Sequence, residues 1–528
     1  MAPTDTRLIQ RPNRNRRHAR RWKGPLRRWV AAAFLASYGG WAAAARWSVE
    51  AGADARVTWT DNAAFDARGA ATEDWLWELS PVVRLLAVGP RLRLAGTAGV
   101  SALTYTQGAG RSRVLSTADI RAEAELAERH FFLEAAVVAR PGAENVFAPR
   151  SDGPSDVNTV TSVQYRLTPT WRGRLGGAVD VQLRSANAWT DIVGERGAPA
   201  DAAYTGEHSL RLRRMPVPFG WTVEVVRSET RYESVVPPAA TTDTGRVELE
   251  YAWTPGLTTS LRAGHEKTNL VIRDRQQATY GVAARWRPTE RTLLEASGER
   301  RFFGTGWSAR FDHRWPRVAW SFVSRRDVGS FPQAFLNLPP TENVVALLNA
   351  AFTTRFPDEF ERNRVIADII ARYNLPASLA APTALYSRRF SIQTSHTASL
   401  AVIGVRNSLA LSLFHTKTED LADAAFLVPS ATATNVLQQG EAATLAHLLT
   451  PLTTVNLTLS RTRTEGVGAD AGPQSRQIAA RLELAQRFAP RSRGYVGARW
   501  QKFESTAGAA VPADAAERAV FLGIAHRF

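Results

Sequence analysis

From Arg46 onward apolar and polar residues alternate with a period of two, in segments of about ten residues separated by turn signals. Val247, Leu249, Tyr251 and Trp253 alternate with Arg246, Glu248 and Glu250; Ile478, Ala480, Leu482 and Leu484 with Gln477, Arg481 and Glu483; Val455, Leu457 and Leu459 with Asn456, Thr458 and Ser460. The clearest run is Trp171 to Arg184, read as one strand with Trp171, Leu175, Val179, Val181 and Leu183 on one face and Arg172, Arg174, Asp180, Gln182 and Arg184 on the other. Successive side chains of a strand point to opposite faces of a sheet, so every segment predicts a strand with one greasy face.

Twenty-two such segments can be marked between Trp47 and Phe528, an even number that brings both ends of the sheet to one rim. Their connections fall into two classes. Leu167-Thr168-Pro169, Trp253-Thr254-Pro255, Trp286-Arg287-Pro288, Leu449-Thr450-Pro451 and Phe488-Ala489-Pro490 read as tight, Pro-initiated turns, while Pro141 to Asn158, Ser185 to Tyr204, Tyr232 to Asp243 and Glu419 to Val436 read as long loops. Short turns on one rim and long loops on the other predict an antiparallel transmembrane β-barrel of about 22 strands. Trp171, Trp221, Trp253, Trp286, Phe488 and Phe528 lie beside the short turns, as an aromatic girdle requires. In the last segment Val520, Leu522, Ile524 and Phe528 share one face, broken only by His526, which fits a closing strand read by the barrel-insertion machinery.

Residues 328 to 387 leave the two-residue period. Glu342 to Phe352 reads as a helix, and Pro357-Asp358-Glu359 opens a second that runs through Tyr373 and stops at Asn374-Leu375-Pro376. Phe360, Ile366, Ile369, Ile370 and Tyr373 form its apolar face, which must be buried. By strand parity the insertion emerges on the long-loop side, where it can plug the lumen or cap the mouth.

Charge changes this picture less than the total suggests. The chain carries a net charge of +17, but residues 1 to 28 hold ten Lys or Arg against Asp5 alone and run into the apolar stretch Trp29 to Ala45, which ends in Ala43-Ala44-Ala45. This reads as a signal peptide, residues 1–45, cleaved before a mature barrel of 46–528. Much of the excess charge is then removed, and nucleic acid is not an expected partner. Beyond the leader no window is long and apolar enough for a membrane helix, so spanning must use a closed sheet. The expected surroundings are outer-membrane lipid and lipopolysaccharide.

Candidate chemistry is sparse. There is no cysteine, and the nine histidines show no helical metal spacing, so neither metal nor cofactor is expected. No G-x-S-x-G is present and no catalytic residue is assigned, although His208, His265 and His415 could approach a rim, as an outer-membrane enzyme acting on lipid or polysaccharide would need. Arg172, Arg174, Arg184, Arg246, Arg262, Arg285, Arg481, Arg487 and Arg499 fall on the predicted lumen face with Asp180, Glu248, Glu250, Glu295, Glu299 and Glu483. They can form a self-neutralising wall or a path for an anionic polymer. An energy-coupled transporter would need a plug domain ahead of the first strand, whereas Trp47 to Trp59 already reads as that strand.

Thr60-Asp61-Asn62 after the first strand, the insertion ending Asn374-Leu375-Pro376, the re-entry Tyr386-Ser387-Arg388-Arg389-Phe390 and the Gly404-Val405-Arg406-Asn407 turn together resemble the outer-membrane β-barrel proteins associated with PEP-CTERM/exosortase systems, encoded in exopolysaccharide biosynthesis loci of Gram-negative bacteria. The resemblance implies a non-enzymatic part in export or surface deposition of an extracellular polysaccharide, with periplasmic export proteins as partners. The alternatives are a general diffusion porin and the rim enzyme above.

Overall fold

The computed structural model describes residues 45–528 apart from 110–111, 144, 150–158, 194–201, 234–238, 274–275, 337–342, 354–355, 374, 376–378, 380–381, 383–388, 422–423, 425–434, 507–510 and 512–513. The expected leader lies outside the described residues except for Ala45, as do Asn374, Pro376 and Tyr386 to Arg388 of the motifs above.

The alternation resolves into 22 strands: β1 (Arg46–Thr60), β2 (Asp74–Val88), β3 (Leu92–Tyr105), β4 (Arg113–Ala127), β5 (Phe131–Ala143), β6 (Thr159–Leu175), β7 (Val179–Val193), β8 (Ala202–Arg214), β9 (Phe219–Tyr232), β10 (Ala240–Thr254) and β11 (Leu257–Thr268) make the first half. The second half is β12 (Gln276–Thr289), β13 (Thr292–Arg301), β14 (Gly304–Arg314), β15 (Val318–Gly329), β16 (Ser391–Ile403), β17 (Asn407–Asp420), β18 (Val436–Thr450), β19 (Thr453–Gly466), β20 (Gln474–Ala489), β21 (Ser492–Ser505) and β22 (Asp514–Arg527). Each pairs antiparallel with its chain neighbours, and β22 pairs back onto β1 from Gly52↔Arg527 to Thr60↔Ala519, closing the ring. Among the described residues no helix is long and apolar enough to cross a membrane. The outward face carries the exposed apolar rows, such as Val247, Leu249 and Trp253, or Val520, Leu522 and Ile524. A closed antiparallel barrel with an apolar outer band is the outer-membrane type, and its short-turn rim is the periplasmic one.

The seam between first and last strands is fastened by side chains. Glu517, buried in β22, accepts from Thr60 Oγ1 at 2.8 Å and from Arg499 Nη2 at 2.6 Å, and also from the Gln501 amide. Above it Asp61 takes the backbone N–H of Arg518 at 2.7 Å, and the Asn62 amide donates to Ala516 O at 3.0 Å and Asp66 O at 2.8 Å. Lower down, Tyr495 of β21 reaches over β22 to Asp54 of β1 at 2.6 Å. Thr60-Asp61-Asn62 is therefore a fastening for the ring. On the last strand His526, the polar break in the apolar row, shares a hydrogen bond with Ser492 Oγ at 2.8 Å and sets its ring edge-on to Phe528.

Two turns differ from the sequence reading. Trp171 to Arg184 is not one strand: the chain reverses at Gly176 and Gly177, whose φ values of 54° and 72° suit a primed hairpin turn. Leu175 and Val179 sit four residues apart on either side of the reversal, so parity survives and the alternation passes through it unbroken. Conversely, Leu167-Thr168-Pro169 is no turn but the middle of β6; Pro169 stands opposite Leu133 of β5, and the β6–β7 ladder skips Thr168 and Pro169, where a missing N–H costs nothing. The long connections are also shorter than expected at Ser185 and Pro141, because β7 runs to Val193 and β5 to Ala143. On the long-loop rim one connection is short, the two residues Phe302 and Phe303 between β13 and β14.

Glu517→Ala removes the carboxylate from a buried Arg499 at the seam. It is expected to destabilise the barrel by about 3 to 5 kcal/mol, the usual cost of stranding one partner of a buried pair. Urea unfolding in detergent measures this, and an unchanged midpoint would contradict the seam's role.

Candidate functional site

The insertion contains three helices, α1 (Phe331–Leu336), α2 (Asn343–Phe352) and α3 (Glu359–Tyr373); α1 was not expected from the sequence. It leaves β15 at the long-loop rim. Ser330 donates its N–H to Gln333 Oε1 at 3.2 Å, half of a capping box that starts α1, and α1 then packs on β7 and β8, a different sector of the wall. The chain returns as α2, which lies against β15 and β16. Val344, Leu347 and Leu348 of α2 and Ile366 of α3 are buried against Ala319, Ala401, Ala410 and Ala442 of β15 to β18. Ala319, Ala401 and Ala410 are successive register partners on the inward face, and their small side chains let a helix approach the sheet. Burial of each large aliphatic side chain is worth about 1.5 to 3 kcal/mol.

Depth in the barrel is set by α3. Asp358 caps it, accepting the Glu361 N–H at 2.9 Å, and pairs with Arg93 at 3.3 Å, one residue into β3 from a periplasmic turn. At the other end the Tyr373 hydroxyl donates to Gly404 O at 3.0 Å, with Val405 O at 3.4 Å, in the periplasmic turn between β16 and β17. Tyr373 and Leu375 are buried with Ala446 and Leu448 at the periplasmic end of β18, and Ile369 and Ile370 pack between this group and the alanine face. Fifteen residues of helix span about 22 Å, so α3 runs through the lumen near the periplasmic rim, tied to the wall at both ends. Of the two expected placements, the insertion takes the lumen. Phe360 belongs to α3, but its side chain lies outside the described residues.

Arg362, 8 % exposed, locks the two longer helices together. Its guanidinium donates to Phe356 O at 2.7 Å, to Pro357 O at 2.9 Å and to the Asn349 side chain of α2, and Asn349 in turn donates to Asn363 at 2.7 Å. Sequence reading missed Arg362 and Asn349, since polar residues on a helix otherwise read as its solvated face. The four inward alanines were a usable signal for a docked helix.

The nine arginines all project from the inward face, and most are paired. Arg174 meets Asp180 at 2.8 Å, Arg184 Glu207 at 3.2 Å, Arg246 Glu299 at 2.9 Å and Arg262 Glu248 at 3.1 Å. Arg285 meets Glu295 at 3.2 Å, Arg481 Glu483 at 2.7 Å and Arg499 Glu517 at 2.6 Å. Arg172 instead lies over the Phe132 ring at 4.7 Å, and Arg487 stands opposite Arg493. Most of these pairs bridge strands, while Arg481 and Glu483 lie two residues apart on β20. At the far mouth loops also meet over the lumen: Val146 and Phe147 of the β5–β6 connection pack on Val436 of β18, and Val271 bridges to Ala424.

No family model matches the chain, and no curated protein is similar to it. Among solved structures, the siderophore receptor PirA from Pseudomonas aeruginosa is similar at 9% identity over 91% of this chain and 80% of its own, TM-score 0.43. The FrpB iron transporter from Neisseria meningitidis, F5-1 variant, is similar at 8% identity over 91% and 81%, TM-score 0.47. A mutant ferric enterobactin receptor, PfeA, from P. aeruginosa in complex with enterobactin matches at 10% identity over 91% and 82%, TM-score 0.44.

The flagged histidines all face outward. His208 shares a hydrogen bond with Ser185 Oγ at 2.8 Å, but the same cross-strand pairing recurs at Thr292–His313, Ser324–His396 and Ser492–His526, so it does not single out a nucleophile and base. His415 faces the His396 ring at 5.8 Å, and His265 lies opposite Gly245 and Ala278. Among the described residues no group of three His, Cys, Asp or Glu could hold a metal ion.

Arg362→Ala strands two carbonyls and Asn349, so α3 should come loose from α2. Trypsin is expected to cut within residues 330–390 of the folded variant at least several-fold faster than in the wild type, with the barrel retaining its heat-shifted mobility; equal cleavage would contradict the lock.

Proposed function

We propose that this barrel is a gated outer-membrane conduit without enzymatic activity, whose helical insertion is the gate, and that it serves export or surface deposition of an anionic extracellular polysaccharide. The observation that carries the gate is α3, held inside the lumen by Asp358–Arg93 at one end and Tyr373–Gly404 at the other. The polar part of each tie lies close to the periplasmic rim, where periplasmic export proteins would approach. A net hydrogen bond is worth about 0.5 to 1.5 kcal/mol, so each tie can be exchanged for a contact to an arriving partner at little cost. The general diffusion porin fits less well, because a porin needs a standing aqueous path where this chain places packed helix.

Polysaccharide is favoured by the resemblance to barrels of exopolysaccharide loci, and the wall suits it chemically. Guanidinium groups bind carboxylates in a planar, two-pronged way. Carboxylates of a passing polymer could replace Glu248, Glu295 or Glu299 on Arg262, Arg285 or Arg246 one after another, so that the polymer is neither repelled nor trapped.

Planar-bilayer recording tests both parts. The wild type should be closed or of low conductance, and replacing residues 337–388 with a short Gly-Ser linker should open it severalfold; equal conductance would sink the gate. Current through the opened barrel should be blocked by alginate at about a tenth of the concentration needed for neutral dextran of equal length, and equal block would remove the anionic polymer.

A further inference from the structure

On the outward surface β9 to β14 enclose an apolar trough of about 1120 Å³. Its floor is made of small residues, since Thr259, Ala284, Ala296 and Ala309 are successive register partners across β11 to β14. Larger apolar groups stand around them, Tyr251 and Trp253 below and Leu261 and Trp307 above. Bare apolar band explains such a hollow poorly, because the neighbouring rows present Leu, Val and Trp to the lipid.

The upper end of the trough is cationic. Trp307 lies opposite Arg326, and Arg300 follows two residues beyond Gly298 of the trough wall. A Cβ on Gly304 would have Nη1 of Arg326 at 3.7 Å and Nη1 of Arg300 at 4.0 Å, so the two guanidinium groups converge on one point. Gly304 has φ 104°, a conformation that favours glycine and keeps the gap between them open. Arg326 donates to Thr305 O at 2.5 Å and lies 5.7 Å from the centroid of each of the Phe303 and Trp307 rings. Among the described residues neither Arg300 nor Arg326 forms an ion pair. Several other outward cations do, such as Arg231 with Glu229, Arg227 with Asp243 and Arg461 with Glu441, and the adjacent inward Arg301 holds Glu266 and Asp327. Two convergent cations at the edge of hydrocarbon repel each other unless an anion joins them. The two-residue connection Phe302 and Phe303 makes the wall lowest here, so the headgroup layer can reach the pair.

We infer that this is a binding site for one outer-leaflet lipid with a phosphate headgroup, the phosphate held between Arg300 and Arg326 and an acyl chain lying in the trough. The site does not depend on the conduit reading. Native mass spectrometry of the full-length barrel in detergent tests it, with dioleoyl phosphatidic acid as probe and dioleoyl phosphatidylcholine and inorganic phosphate as controls. The wild type should retain one phosphatidic acid, with phosphatidylcholine about tenfold weaker. The doubly substituted Arg300→Gln, Arg326→Gln barrel should lose about tenfold for phosphatidic acid only, and Ala296→Trp, which fills the floor, should weaken both lipids. Heat-shifted mobility verifies folding; if Ala296→Trp fails it, the arginine pair decides alone. Wild-type affinity in the arginine variant, or displacement of the lipid by inorganic phosphate at equal concentration, would overturn the site.

Discussion

A backbone N–H or C=O in hydrocarbon has no water to turn to, and each one left unpaired costs several kcal/mol. That constraint dictates the rest of this molecule. A sheet of 22 strands has two edges, and only the pairing of β1 with β22 removes them. It explains why polar side chains concentrate at that seam, where Glu517, Thr60, Arg499, Asp61 and Asn62 hold strands that no turn connects. All other neighbouring strands are consecutive in the chain.

Closure at this width creates a second requirement. Strand number sets barrel diameter, and a ring this large cannot be filled by its own inward side chains. The insertion between β15 and β16 occupies part of that interior, packed on the inward face of the wall. Its apolar faces are covered by the inward alanines of β15 to β18 and by Ala446 and Leu448, while most of the inward arginines elsewhere on the wall are paired with acids. The packing is uneven in kind: α2 and α3 from Ile366 to Tyr373 are held by buried apolar groups, while polar contacts of Asp358 and of the Tyr373 hydroxyl add to the hold at the two ends of α3.

Much of this was legible in the sequence because a two-sided environment writes itself as a two-residue period. The strands, their even number and the short-turn and long-loop rims followed from it, and the two longer helices from the break in that period and the Pro and acidic residues that open the second. The hairpin at Gly176 and Gly177 was hidden because it preserves parity, and Pro169 misled because proline marks turns more often than mid-strand positions. Placement of the insertion was not legible: the period of Ile366, Ile369, Ile370 and Tyr373 tells that a face is buried, but not against what. That information sat on the flanking strands and their neighbour, in Ala319, Ala401 and Ala410, whose smallness matters only once the register brings them side by side. Thr60-Asp61-Asn62 was noticed only as part of a resemblance, since its partners lie more than four hundred residues away.

Because the chain has no cysteine, one pair can be introduced without background. The most direct measurement introduces Ile370→Cys and Val405→Cys, leaving Tyr373 in place, and treats the barrel, in outer-membrane vesicles, with a bismaleimide. Helix α3 seated in the lumen against the periplasmic turn predicts an intramolecular cross-link in most molecules, seen after denaturation as a looped chain of faster mobility. Absence of the cross-link, with both cysteines shown to be reactive toward a small maleimide, would contradict a helix seated there.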